Sequence, residues 1–357
     1  MKLDSNDKSY TYQEIKRQQS SWKNALNSLK QNRIKQLELT EKYRNHIWVY
    51  TGCGTSYYLA QTASSLFEMI TGVRTKAVPA SEILMFPDLV FNEIDPYLLI
   101  LISRSGTTTE VVKAEENVRS DLHIPTLAVT CDPESTLSKL SNFQFTFLFE
   151  QEKSVVMTGS FTTMLISILS IASLFQQKQE FADKLWSIAD YSFKIMNEQE
   201  SLLKTICSDH SLSNFIFLGQ GPLYGIANEA SLKMQEMSIS QSQSFHSLEY
   251  RHGPMSTASE NSLITILCSR AGRKFDEDLV KDLKELGSKI LVFYEEDEEV
   301  RHEAADFKIT VSSNYGDLWR PLLYMPILQL LGYYKAIAKN INPDNPRNLT
   351  AVVELNI

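Results

Sequence analysis

The chain repeats itself. The stretch HIWVYTGCGTSYYLAQTASSL (46–66) is echoed by NFIFLGQGPLYGIANEASLKM (214–234), and Gly52 and Gly54 are matched by Gly219 and Gly221, 167 residues on. A second anchor, LISRSG (101–106), returns as LCSRAG (267–272) at an offset of 166 residues. Two anchors at nearly one offset read as two copies of one supersecondary plan. In the first copy the buried runs HIWVYTG (46–52), YLLILIS (97–103) and TLAVT (126–130) alternate with the helical stretches TSYYLAQTASSLFEMI (55–70) and TTEVVKAEENVR (108–119). In the second, KILVF (289–293) stands where TLAVT stood. Short continuous apolar runs between helices predict an α/β fold built on parallel sheets covered on both faces. The expected layout is a helical segment over 1–45, one domain over 46–175, a helical linker over 176–210, a second domain over 211–340 and a closing tail over 341–357.

A length of 357 residues suits two such cores. The net charge of -8 argues against a protein that works by coating nucleic acid, but leaves room for a local anion pocket. Cys53, Cys131, Cys207 and Cys268 form no CxxC pair, so no metal is expected; each lies in or near an apolar run, as small buried hydrophobes do. Two apolar stretches, 160–175 and 321–339, are too interrupted by polar residues to span a membrane and read as buried core helices. The N-terminus lacks an apolar signal core, so no membrane association and a cytoplasmic location are expected.

The loop after YLLILIS carries Ser103, Ser105, Thr107, Thr108 and Thr109 within seven residues, with Arg104 and Gly106 among them. A serine or threonine at a helix start is ordinarily an N-cap. Five hydroxyls exceed what one cap requires. Beside the free N–H groups of a helix N-terminus they form a lysine-free site for a monophosphate. Gly54, Thr55 and Ser56 repeat the logic one strand earlier. Both loops leave carboxyl ends of strands, where open α/β sheets bind ligands. GCGTSY resembles a dinucleotide fingerprint, but Tyr57 occupies the third glycine position, so no nucleotide cofactor is expected.

GCGTSYY, SRSGTTTE, ANEASLKMQE and YRHGP, in this order on a duplicated plan, together resemble the SIS (sugar isomerase) family. The resemblance runs over nearly the whole chain. It is strongest to the isomerase half of glucosamine-6-phosphate synthase and its stand-alone relatives, among them glucosamine-6-phosphate deaminases and fructosamine-6-phosphate deglycases. It implies two tandem SIS domains, each a flavodoxin-like three-layer sandwich. Ser56, Ser103, Arg104, Ser105 and Thr108 match the family's sugar-phosphate clamp, and Val155 matches a position whose backbone contacts the sugar. Glu236 matches the base that moves a proton between C1 and C2, with Lys233 one turn before it. His252 matches the ring-opening histidine, which in the family reaches the site from a neighbouring subunit; a homodimer with a shared active site is therefore implied. On residue type alone, Lys233 and Glu236 could equally be a surface pair, and His252 could pack in its turn; His246 is a second candidate.

The departures from the family pattern set the expected reaction. The chain begins MKLD, with no preceding glutaminase domain and no N-terminal cysteine, so ammonia from glutamine is not expected. The synthase's imine-forming lysine follows PRNL by two positions; here Ala351 stands there, and Met157 and Gly159 replace a serine and a lysine. An amino-sugar phosphate brings its own nitrogen and does not need that lysine. The expected activity is an aldose–ketose isomerase acting as an amino-sugar-phosphate deaminase on glucosamine 6-phosphate or a close hexosamine phosphate. The alternatives are a fructosamine-6-phosphate deglycase and a non-catalytic phosphosugar-binding protein. Arg270, Arg273 and Lys274 in the second copy leave open a regulatory anion.

Overall fold

The computed structural model describes residues 9–176, 179–296, 301–353 and 355. Parts of the N-terminal, linker and tail segments drawn above (1–8, 177–178, 354 and 356–357) lie outside the described residues. Among the described residues, ten strands form two five-stranded sheets, and every strand pairing is parallel. The first sheet contains β1 (Ile47–Gly52), β2 (Thr75–Pro79), β3 (Tyr97–Ser103), β4 (Thr126–Thr130) and β5 (Phe143–Thr146), in the order β2-β1-β3-β4-β5. The second contains β6 (Asn214–Gly219), β7 (Gln241–His246), β8 (Ser262–Leu267), β9 (Lys289–Glu295) and β10 (Phe307–Val311), in the order β10-β9-β8-β6-β7. Read from the other edge, the second order repeats the first.

Two compact units result. One holds the first sheet and comprises Arg17–Ala189 with Thr350–Ile357; the other holds the second sheet and comprises Met1–Lys16 with Asp190–Leu349. The expectation of two tandem sandwiches is corrected by this division, because neither unit is one continuous stretch. The physical cause lies at the chain ends. In the second-sheet unit, the N-terminus of the helix Tyr10–Lys16 is capped by Asp344, whose carboxylate accepts from the Tyr10 and Thr11 N–H groups at 3.0 and 2.8 Å. In the first-sheet unit, the Leu355 N–H donates to Thr109 Oγ1 at 3.0 Å.

Each sheet sorts its side chains by the two-residue period of a strand. In the first, Val49, Leu99 and Leu101 face a core shared with Ile83, Val111 and Val118. On the other face Trp48 stacks on Phe67 of the helix Thr55–Thr71 at 4.4 Å, and Trp22 Nε1 donates to Thr162 Oγ1 of the helix Gly159–Gln176 at 2.9 Å. In the second sheet, Ile216, Leu218, Ile264, Ile266 and Val292 pack with Leu279, Val280 and Leu283 of the helix Arg273–Glu285, and with Tyr250. The opposite face carries the helices Pro222–Ser238 and Arg320–Ala338, which approach closely at Gly332: a Cβ there would lie 3.2 Å from the Lys233 carbonyl. The two apolar stretches read as core helices are buried over most of their lengths, and among the described residues no helix is long and apolar enough to cross a membrane.

Candidate active site

The glycine pairs do the same mechanical work in both units. Gly54 and Gly221 precede their helices with φ of 53° and 57°, a region that favours glycine. A Cβ on Gly52 would lie 2.8 Å from the Ser56 backbone, and one on Gly219 would lie 2.3 Å from the Leu223 carbonyl oxygen. Each helix can therefore start directly against its strand. In the first-sheet unit this buries Thr55 and Ser56 at the helix N-terminus. The register Thr51↔Leu101 sets this loop beside the one that follows β3.

In that second loop Ser103 is buried, while Ser105 and Thr108 are half-buried. Ser103 Oγ lies 3.2 Å from Thr108 Oγ1 and accepts the Gly106 N–H at 3.0 Å. Ser105 Oγ accepts from the Thr107 N–H at 3.2 Å and from Thr107 Oγ1 at 3.1 Å. Gly106 has φ 65°, and a Cβ there would meet Ser135 Oγ at 2.2 Å, so glycine is required for the loop to lie against the next one. Thr108 then precedes the helix Thr109–Asp121, without a side-chain cap bond. The unit thus gathers the predicted Gly54, Thr55, Ser56, Ser103, Ser105 and Thr108 at adjacent strand ends around two helix N-termini.

Arg104 is directed elsewhere. Its Nη1 donates to Glu152 Oε2 at 3.1 Å, and its Nη2 donates to the carbonyls of Val155 and Ala351 at 3.0 and 3.3 Å. Glu152 is wholly buried and also accepts from the Thr158 N–H, Thr158 Oγ1, the Ser160 N–H and Ser160 Oγ at 2.6–3.2 Å. Burial pushes its carboxyl up, but Arg104 and these donors outweigh burial and hold it below the usual carboxylate range. Two residues earlier, burial and the Glu152 charge push the Glu150 carboxyl up to about 7.

In the second-sheet unit Lys233 is wholly buried on the helix Pro222–Ser238. Its ammonium lies 3.2 Å from Glu229 Oε1 and is also bonded to Glu236. Positions 229, 233 and 236 share one helix stripe. Burial pushes the Lys233 ammonium down, but the Glu229 and Glu236 carboxylates outweigh it and hold it above the usual lysine value. The Glu236 side chain keeps 15 % exposure, the one opening in this row of three. A solvated surface pair does not describe a lysine with no exposed area. Glu229 escaped the sequence reading, although its spacing from Lys233 was the signal that could have found it.

The two histidines lie away from Glu236. His246 stacks on Tyr224 at 3.7 Å, and Tyr224 is twelve residues from Glu236 on the same helix, roughly 18 Å along its axis. Burial pushes the His246 imidazole down, against the nearby Glu249 charge. His252 is exposed, in the crossover from β7 to β8. That crossover is anchored by Tyr250 in the core shared with the helix Arg273–Glu285, and by the Arg251–Asp282 ion pair. It therefore lies on the opposite sheet face from the helix bearing Glu236. A single copy of this unit does not bring Glu236 and His252 together.

The family match agrees with these two loops. The SIS domain family model matches residues 41–174, which contain the first sheet's strands through β5 and both hydroxyl loops. The expectation of two SIS domains is thereby corrected a second time, since one copy is matched and the second sheet lies outside it. D-galactosamine-6-phosphate deaminase AgaS from Shewanella sp. (strain ANA-3) is 29% identical over 364 residues, covering 94% of this chain and 87% of the relative. Glutamine--fructose-6-phosphate aminotransferase [isomerizing] from Wigglesworthia glossinidia brevipalpis is 28% identical over 364 residues, covering 98% of this chain and 59% of the relative. The chain spans about half the length of the aminotransferase relatives it matches. Among solved structures, glucosamine-6-phosphate deaminase from Thermotoga maritima is 30% identical, with a TM-score of 0.81 over 97% of this chain and 100% of that one. The chain belongs to the SIS family of phosphosugar isomerases and amino-sugar-phosphate enzymes.

Proposed function

We propose that the protein is an amino-sugar-phosphate deaminase, converting a hexosamine 6-phosphate and water to a ketose 6-phosphate and ammonia. The observation that carries the reading is Ala351. The position where the synthase pattern has an imine-forming lysine offers only a backbone carbonyl, and that carbonyl is bonded to Arg104. An enzyme that adds nitrogen to a ketose needs that amine; one that releases nitrogen already on the sugar does not. Two relatives of similar length, the Shewanella and Thermotoga proteins, are named as deaminases of hexosamine 6-phosphates.

In this reading the phosphate rests on the hydroxyl loops, where Ser56, Ser103, Ser105 and Thr108 donate to its oxygens beside two helix N-termini. His252, supplied by a second copy of the chain, assists ring opening. Glu236 then takes the proton from C2 of the open aminoaldose and returns it to C1, leaving an imine at C2. Water adds to the imine carbon and ammonia leaves, which gives the ketose. Lys233, held cationic between Glu229 and Glu236, fixes the base in place.

Release of ammonia from glucosamine 6-phosphate and galactosamine 6-phosphate, compared with fructosamine 6-phosphates, tests the reading. Release from a hexosamine phosphate that is abolished by Glu236→Gln is expected. No release from either hexosamine above that variant would overturn it. The shared site has its own test: Glu236→Gln and His252→Ala chains, each inactive alone, regain activity when mixed if the histidine comes from a partner copy.

A further inference from the structure

Arg104 sits inside the hydroxyl loop, yet its guanidinium faces a wholly buried carboxylate and two carbonyls rather than the loop's hydroxyls. Its backbone is fixed as well, since the Arg104 carbonyl accepts the Cys131 N–H at 3.0 Å and Thr130 Oγ1 at 3.2 Å. Glu152 cannot readily move. It holds five donors, and two of them, the Thr158 and Ser160 N–H groups, open the buried helix Gly159–Gln176. Arg104 therefore joins three separate stretches of one unit: the hydroxyl loop, the Val155 segment and the tail at Ala351. A second tether, Leu355 N–H to Thr109 Oγ1, holds the tail at the start of the helix that follows the loop.

We propose that Arg104 is a positioning residue, a latch that holds the chain's tail against the hydroxyl loop with Glu152 as its fixed anchor, and is not a phosphate ligand. The planar fork suits the task. One edge meets the carboxylate while the remaining N–H groups reach two carbonyls, which the point charge of a lysine does less well. In the absence of a side-chain amine at position 351, the tail contributes through its backbone and through the cover it gives, so its placement has to be enforced by another residue. This inference rests on reading the hydroxyl loop as a phosphate site, and it deepens that reading by separating the residues that hold the phosphate from the one that holds the cover.

The experiment compares the full chain with Arg104→Gln, Arg104→Lys and Glu152→Gln variants, and with the wild-type and Arg104→Gln chains shortened to end at Leu349. Amide hydrogen exchange of the C-terminal peptide reads the latch directly. Arg104→Gln and Glu152→Gln are each expected to speed exchange over 350–353 and at 355 by about tenfold or more, with Arg104→Lys intermediate. Titration with inorganic phosphate reads the alternative. A latch leaves the phosphate Kd of Arg104→Gln within about threefold of wild type, whereas loss of a charged ligand weakens it more than about tenfold. With a turned-over amino-sugar phosphate, the loss caused by Arg104→Gln should vanish in the shortened chain, because the latch then has nothing to hold. Unchanged tail exchange, or a tenfold weaker phosphate Kd in both the full and the shortened chain, overturns the latch. Exchange and phosphate titration need no turnover, so a failure of the deaminase reading leaves both interpretable.

Discussion

The loops after β3 and β8 follow one path. In each, the serine that ends the apolar run accepts a glycine N–H three residues on: Ser103 from Gly106 at 3.0 Å, and Ser269 from Gly272 at 2.9 Å. Their arginines are both occupied, but differently. Arg104 reaches the tail, as described. Arg270 Nε donates to Glu295 Oε2 at 2.8 Å and its Nη2 to the Ser313 carbonyl at 2.9 Å, while its backbone N–H donates to Asp317 at 2.6 Å. Arg320 adds a second cation on the same two carboxylates. The β8 loop thus closes on its own charges, and the volume between Cys268, Arg270, Tyr294 and Arg320 that could admit a water-sized sphere is about 10 Å³. Around β3 the hydroxyls bond mainly to one another and to loop N–H groups, partners that a phosphate can replace. One backbone plan carries replaceable hydroxyl contacts in one unit and a closed set of ion pairs in the other.

Under the proposed function labour divides: the first-sheet unit grips the phosphate and the second-sheet unit supplies the base. Its largest test is Glu236→Gln. Removing a general base costs roughly a hundred- to ten-thousandfold in kcat, while KM for the sugar phosphate should stay within a few-fold. Equal losses in kcat and in phosphate affinity would break the division. Steady-state kinetics with a hexosamine 6-phosphate decide it.

Each unit also buries a carboxyl with a pKa raised to about 7: Glu150 in the first, and Asp276 in the second, where burial outweighs the Ser269 N–H and Arg320. Both folded values stand above the unfolded ones, so the protonated forms favour folding. The stability they contribute is full below about pH 4 and is lost as pH rises toward 7. Glu150→Gln and Asp276→Asn should each flatten that loss, raising stability at pH 8 by on the order of 2 kcal/mol. Denaturant melts at pH 5 and 8 measure it. If the units unfold separately, each variant should move only its own transition.

Much of this was legible because glycine and burial leave strong marks. The paired glycines predicted two strand–helix turns, whose φ values differ by only 4° at Gly54 and Gly221. The central strands β1, β3, β4 and β8 are buried runs that the apolar pattern exposes. Outer strands were not readable. In β7 the sequence QSQSFH is mostly polar, and β2 is half-buried throughout, so neither shows the continuous apolar run of a strand covered on both faces. In the site, the hydroxyl cluster was legible as a local concentration. Glu152 was not, because its role depends on Arg104, 48 residues away, and no spacing rule links the two. The exchange of chain ends between units was hidden for the same reason: Asp344 caps a helix more than 330 residues earlier in the chain.

The clamp itself gives a smaller effect. Ser105→Ala or Thr108→Ala should raise KM for the sugar phosphate about tenfold, the worth of one hydrogen bond to a charged group, with little change in kcat. The reciprocal change, Ala271→Ser in the β8 loop, should leave KM unaltered and should not create phosphate binding, because Arg270 already fills that loop. Phosphate binding gained by Ala271→Ser would mean that the two loops differ only in hydroxyl count.

The smallest effect is expected from Arg270→Ala. The side chain is 48% exposed and shares Glu295 with the buried Arg320, so its ion pair should be worth less than about 1 kcal/mol. Glu295 keeps a partner after the change, and no buried charge is orphaned. Kinetic constants should be unaffected, and a modest fall in the melting temperature should shrink as salt is added. The contrast with Arg104→Gln is the informative part. Both substitutions remove an arginine from the same place in corresponding loops, but only one of those arginines bonds to the tail. Comparable kinetic losses from the two would remove the distinction between the loops.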